Sequence, residues 1–317
     1  MYCLGIDTSC YTTSIAAVNE SFELCYDGRI ILDVSAGGRG LRQSDAFFQH
    51  IGNLSRLLMQ CMKTVEADSI KGIAVSSKPR NAADSYMPVF LAGLHTAKTI
   101  SSILKLPVIE VTHQDSHIQA GLWSSGYEIK SDFLAYHISG GTTELLHIHK
   151  KDQLEVTEIG GTSDLNAGQF IDRIGVTLGM KFPCGQEMDK LCGDFEIKGI
   201  DVPISIDECF MSLSGPETHV QRLIKAKAPE LQEIAAVSKG VFLCIARSIE
   251  KTVLNAKSKY DADELLLVGG VASNIIIRDY LNSSTELKKY GIKPVFSDPG
   301  YSPDNAAGTA VLGMKAL

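Results

Sequence analysis

A segment near the start of this chain is repeated 130 residues later. Moved along by that amount, Ser9 falls on Ser139, Thr12 on Thr142, Thr13 on Thr143 and Ile15 on Leu145. Each copy joins two β-rich runs through a tight turn of small residues, and in each copy a third run and a helix follow. The runs lie at 2–7, 13–19 and 22–32 in the first copy, and at 133–138, 144–149 and 154–159 in the second. A duplicated β-β-β-α unit leaves few solutions. It predicts an α/β protein of two similar lobes facing a cleft. The division is expected at 1–120 plus 300–317 for one lobe and 121–299 for the other.

Behind each repeat the pattern alternates helix and strand. Phe47, Ile51, Leu54, Leu58, Cys61 and Val65 recur at spacings of four and three, predicting one apolar helix face with Ser44 or Asp45 as its cap. A strand at 72–77, a helix at 88–104 and a strand at 107–112 follow. In the second half, helices are expected at 165–178 and 231–256, a strand at 264–268, a helix from Asn274, a strand near 294–297 and a short helix after Asp304. Residues 194–210 read as irregular.

Composition removes several function classes. With 317 residues, 44% of them hydrophobic, the chain can bury a real core. No apolar run reaches the roughly 18 residues of a membrane helix, and the start lacks the basic and apolar segments of a signal peptide. Eight cysteines with no CxxC pair suit reduced thiols and a cytoplasmic setting. A net charge of −7 argues against self-sufficient binding of nucleic acid.

Three places could carry chemistry. The turn Ser139-Gly140-Gly141-Thr142 and its counterpart with Asp7 and Ser9 could cradle a phosphate on backbone N–H groups, or be ordinary hairpin turns. Gly269-Gly270 through Asn274 follows an apolar strand and opens a helix, which suits an anion or a ribose, or a plain βα turn. His113 and His117, four apart, share a helix face, and Asp304 could complete a metal-binding set. Two imidazoles and a carboxylate suit iron(II), manganese or zinc. Surface histidines and a helix cap are the alternative. Gln114 stands where a zinc hydrolase needs its glutamate base, which argues against a metalloprotease. His147 and His149 share one strand face and read as solvent-facing, while Asp172 and Asp189 flank the 181–185 loop.

Taken in order, these segments resemble the threonylcarbamoyltransferase (TsaD) family over nearly the whole chain. The resemblance rests on GIDTSCYTTSIAAV (5–18), VTHQDSH (111–117), ISGGTTEL (138–145), DLNAGQFIDRIGVTLGM (164–180), FPCGQEMD (182–189), GGVASN (269–274) and SPDNAAG (302–308). It implies the actin-like, Hsp70-like ATPase (ASKHA) fold of two ribonuclease-H-like lobes. It implies transfer of a threonylcarbamoyl group from threonylcarbamoyl-AMP to N6 of the adenosine beside a tRNA anticodon. His113, His117 and Asp304 would hold one divalent metal, with iron(II) favoured over zinc, manganese and magnesium. Ile138, Ser139, Gly140, Gly141, Thr142, Asp172, Gly185, Asp189 and Asn274 would contact the ATP- or AMP-type nucleotide, beside Asp7, Ser9, Gly269 and Gly270, which the turns themselves suggest. Partners implied are tRNA and small proteins of the modifying complex, with no membrane.

Several positions depart from the family pattern. Residues 78–83 replace a glycine-proline-glycine loop, Thr142 a histidine, Gln169 an acid, and 183–186 a double-glycine loop. A divergent paralogue is the expectation. Two further readings stay open: ATP-dependent carbamoyl transfer or a kinase reaction on another acceptor, and a non-catalytic scaffold.

Overall fold

The computed structural model describes residues 1–9, 11–34, 41–82, 85–151, 154–226 and 230–317. Cys10 and the end of the departing 78–83 segment lie outside them. The chain divides into two units, Met1–Gly126 with Gly300–Leu317, and Tyr127–Pro299. The expected boundary at 120/121 falls inside a helix that begins at His113 and ends at Ser124, and the division comes after it.

In the first unit, β1 (Tyr2–Asp7), β2 (Thr12–Asn19) and β3 (Leu24–Ile31) form an antiparallel meander. Helix α1 (Gln43–Cys61), β4 (Ile70–Lys78), α2 (Phe90–Leu104), β5 (Val108–Thr112) and α3 (His113–Ser124) follow. The strand order β3-β2-β1-β4-β5 makes β1 the central strand, so its Ile6 and Leu4 pack into the core that includes Leu54, Leu57 and Ala92. The other sheet face is closed by the last helix, Ala307–Ala316, through Ala306, Ala310 and Val311.

The buried stripe of α1 differs from the expected one. Ala46, His50, Leu54, Leu57 and Cys61 point inward, while Ile51 is exposed. His50 wins its inward place because its Nδ1 meets the buried Thr13 hydroxyl at 2.9 Å. Neither Ser44 nor Asp45 caps the helix. Arg42 occupies the cap position, and Asp45 pairs with its guanidinium.

The second unit contains β6 (Phe133–Ile138), β7 (Thr143–Lys150), β8 (Leu154–Thr162), α4 (Ala167–Thr177), α5 (Gly185–Asp194), β9 (Ser205–Asp207), β10 (Phe210–Ser212), α6 (Ser214–Ala226), α7 (Leu231–Lys257), β11 (Glu264–Val268), α8 (Ile275–Ser283), α9 (Thr285–Lys289) and β12 (Lys293–Phe296); the terminal helix is then α10. The sheet runs β12-β11-β6-β7-β8-β10-β9. Its first five strands repeat the order of the first unit. The register repeats too: Cys3↔Val18 and Asp7↔Ser14 become Phe133↔Ile148 and His137↔Glu144 on the same 130-residue shift.

Residues 194–210, read as irregular, carry β9 and the start of β10. His147 is not solvent-facing. It is 6% exposed, because β7 is a central strand and the Tyr260 ring lies over it. The described cysteines are free thiols, and no helix among the described residues is long and apolar enough to cross a membrane.

Candidate active site

The sequence places His113 at the first position of α3 through its cap. The Thr112 hydroxyl accepts the Asp115 N–H at 3.0 Å, and the Asp115 carboxylate accepts the Thr112 N–H at 3.4 Å. A helix that starts there puts His113 and His117 one above the other. Their Nε2 atoms lie 3.1 Å apart.

Asp304 arrives from the far end of the first unit. It stands in the turn before α10 rather than in the helix, whose cap is Ala306. That turn is held from several sides. The Ser14 hydroxyl accepts the Ala306 N–H at 2.8 Å. The Asn305 amide donates to the Tyr301 and Pro303 carbonyls and accepts the Ala307 N–H. Helix α10 itself lies so close to α3 that a Cβ on Gly308 would sit 1.9 Å from the Ser116 carbonyl oxygen.

Asp304 Oδ1 is thereby brought to 3.2 Å from His117 Nε2 and 3.6 Å from His113 Nε2. The three atoms form a near-equilateral triangle. A four-coordinate ion with bonds of about 2.0–2.1 Å holds its ligands about 3.3–3.4 Å apart. The trio fits a transition metal in both spacing and donor type. His113 and His117 are largely buried, while Asp304 keeps a quarter of its side chain in solvent, so open positions would lie on its side.

Asp7, expected to face a nucleotide, stands behind His113. Its Oδ2 lies 2.9 Å from His113 Nδ1 and accepts the Ser76 hydroxyl at 3.1 Å, and its Oδ1 accepts the Ser9 N–H at 2.7 Å. A proton on Nδ1 leaves the His113 Nε2 lone pair aimed at the centre of the triangle. Burial works against charge on Asp7, but the His113 ring, with Ser9, outweighs it and keeps the carboxyl below its ordinary range. Burial likewise opposes a charged His113, yet Asp7 and Asp304 prevail and raise it from 6.5 to about 10. The same imidazoles overcome burial and depress Asp304. The Ser9 hydroxyl is buried with no hydrogen bond among the described residues.

The other expected residues belong to the second unit. The Ser139–Thr142 turn closes on itself, with the Ser139 N–H donating to the Thr142 carbonyl at 2.8 Å. It rests on the start of α4. The Asn166 amide donates to the Gly141 carbonyl at 2.9 Å, and a Cβ on Gly168 would come within 2.6 Å of Gly140 Cα. A Cβ on Gly140 or Gly141 would meet nothing, so the turn has one open side.

Gly269 adopts φ +93° against the Ile138 carbonyl, with 2.3 Å to a notional Cβ, which sets the two glycine-rich turns side by side. Asn274 caps α8, accepting the Ile277 N–H at 3.0 Å, and its amide donates to Asp189 at 2.8 Å. Asp172 accepts the Cys184 N–H at 2.7 Å, just before Gly185 begins α5. Burial raises both the Asp172 and the Asp189 carboxyls. Thus Ile138 to Thr142 adjoin Gly269 and Gly270, and Asp189 joins Asn274. His113, His117, Asp304 and Asp7 form a separate group in the first unit. Asp164, which sequence reading passed over, fastens the start of α6 by accepting the Leu213 N–H and the Ser212 and Ser214 hydroxyls.

Comparison with known proteins now bears on this geometry. The profile of the family TsaD, tRNA N6-adenosine threonylcarbamoyltransferase, matches residues 36–311. A tRNA N6-adenosine threonylcarbamoyltransferase of Thermosipho africanus is 29% identical over 324 aligned positions, covering 99% of this chain and 94% of the relative. Among solved structures, component A of the Acidaminococcus fermentans (R)-2-hydroxyglutaryl-CoA dehydratase superposes with a TM-score of 0.59 at 13% identity, covering 100% of this chain and 98% of the other. A ROK family glucokinase from Streptomyces griseus, in complex with glucose and AMPPNP, gives 0.55 at 10% identity, with 99% of each chain covered. These likenesses show the fold: the actin-like, Hsp70-like ATPase arrangement of two repeated α/β units.

Proposed function

The chain belongs to the tRNA N6-adenosine threonylcarbamoyltransferase family, and from that premise we propose that its His113, His117 and Asp304 hold the divalent metal with which it transfers threonylcarbamoyl to N6 of a tRNA adenosine. It is an acyltransferase forming threonylcarbamoyladenosine. The observation that carries the metal assignment is the convergence of the two Nε2 atoms and one Oδ1 within 3.1–3.6 Å. Two nitrogens and one oxygen favour iron(II), with zinc and manganese next and magnesium last, since magnesium prefers oxygen. A bound ion would supply Lewis acidity, polarising the carbamoyl carbonyl.

The chain's own residues do the rest. Asp7 orients His113 and fixes its tautomer, and Ser76 and the Ser9 amide fix Asp7. In the second unit, the open side of the Ser139–Thr142 turn and of Gly270 suits the phosphate of the adenylate, because a Cβ at Gly140, Gly141 or Gly270 would meet nothing and the backbone there can be approached closely. Asp172, Asp189 and Asn274, with Gly185 beside them, suit the nucleoside, whose hydroxyls can donate to the half-buried carboxylates. Holding the adenylate in one orientation supplies the entropic part of the rate.

A scaffold with a vestigial pocket has no use for three convergent donor atoms. An acidic chain acting on tRNA gains from small basic protein partners, and the tRNA substrate supports a cytoplasmic site of action. The deciding experiment is expression in a strain lacking the modification, with tRNA nucleosides read by mass spectrometry. Threonylcarbamoyladenosine is expected to return with the unaltered chain and to stay absent with His117→Ala or Asp304→Ala. No return from a well-expressed, folded chain transfers the reading to another acceptor.

A further inference from the structure

The β6–β7 hairpin carries a second group of donors, at the end opposite the Ser139–Thr142 turn. Asp132 precedes β6, and His147 and His149 leave β7 on one side. One Asp132 carboxylate oxygen lies 2.7 Å from His149 Nδ1, while the other accepts the Lys150 N–H at 2.9 Å. The backbone thus holds the carboxylate in place. The His147 and His149 rings meet edge to face with centroids 4.3 Å apart, and Tyr260 covers His147 at 4.7 Å. His147 is 6% exposed, and its ring nitrogens make no hydrogen bond among the described residues. One ring nitrogen from each histidine and one Asp132 oxygen lie within 4.8 Å of one another.

The hairpin frame itself does not call for imidazoles at these positions. The internal repeat supplies the control. In the first unit the same backbone positions, in the same register, hold Tyr2, Ala17 and Asn19. Three metal-type donors therefore gather in one copy of a duplicated frame that does not need them.

We propose that Asp132, His147 and His149 bind a divalent transition-metal ion, with water completing its coordination. Two imidazoles and one carboxylate select transition ions such as iron(II), zinc or cobalt over calcium and magnesium, which favour all-oxygen shells; zinc and cobalt serve as the probes. Asp132 and His149 each keep 40% of their side chains in solvent. They have room to turn the few tenths of an ångström to about 1 Å that tetrahedral spacing asks of them. The neighbouring acid opposite His149, Glu155, is already paired with Lys151 at 2.8 Å. Such an ion would clip the start of β6 to the end of β7, behind the turn assigned to phosphate.

The test strips the full-length chain with chelator and titrates it with zinc, or with cobalt for its visible absorption. Unaltered protein is expected to take up two ions. His113→Ala/His117→Ala should keep one, and zinc should still raise its melting temperature. His149→Ala or Asp132→Asn, both at the surface, should lose that second ion, weakening it by more than the roughly tenfold that loss of a ligand's hydrogen-bond partner costs. Circular dichroism confirms that each variant is folded. The proposal falls if the double-histidine variant binds no zinc, or if His149→Ala and Asp132→Asn bind it as before.

Discussion

His113 is charged at neutral pH when no ion is bound, because Asp7 and Asp304 overcome burial and lift it from 6.5 to about 10. A metal needs the same Nε2 as a lone pair, so the ion and the proton compete. The sign follows. Uptake at the trio releases about one proton, and affinity rises roughly tenfold per pH unit between pH 7 and 9. Calorimetry in buffers of different ionisation enthalpy, on His149→Ala protein, measures both. Asp7→Asn should shrink the proton release and weaken the ion by roughly 10- to 100-fold. Affinity flat across that pH range would remove the proton from the account. Which residues meet at this point was only partly legible in the sequence. The four-residue histidine spacing could be read because a local cap, Thr112 with Asp115, starts the helix there. Asp304 could be offered only as a possible third ligand, to which the family resemblance also pointed, since no spacing rule spans the residues between. Asp7 as the partner of His113 could not be read, because it depends on β4 lying between β1 and β5.

At the scale of elements, the close seating of α10 on α3 decides whether Asp304 reaches the histidines. Gly308→Ala adds a methyl 1.9 Å from the Ser116 carbonyl. The helix must move, and we expect a loss of about 1–3 kcal/mol together with weaker metal binding at the trio. Gly140→Ala, whose Cβ meets nothing within 4 Å, is the matched control and should leave stability unchanged. Thermal unfolding and metal titration of both variants check this, and equal melting temperatures would refute it. The central strands of the two sheets were legible because they read as near-continuous apolar runs, as in β6 and β11, whereas the three-residue β9 and β10 were not. Short helices such as α5 and α9 were not, being too brief for a period to show. His147 misled for a related reason. Alternation along β7 gives a face, but only α7 and the Tyr260 ring beyond it decide that this face is covered.

The whole molecule carries a net charge of −7, yet its substrate is a polyanion. Repulsion should keep the isolated chain's affinity for tRNA no tighter than the roughly micromolar non-specific range at physiological salt. A gel-shift or anisotropy titration, alone and with basic partner proteins added, tests this. Nanomolar binding by the chain alone would show that charge is arranged locally rather than borrowed. The duplication was the feature most legible at this scale, and the hairpin register obeys it residue for residue.

The first unit is discontinuous, Met1–Gly126 completed by Gly300–Leu317. During synthesis the ribosome delivers both histidines early and the aspartate only after the entire intervening unit has emerged. Domains fold as units while they are made, so the second unit can finish before the first is able to. A chain that stops within the second unit lacks both the Asp304 carboxylate and the helix that seals the sheet. An ion held by His113, His117 and Asp304 would then report that the second unit had already been made.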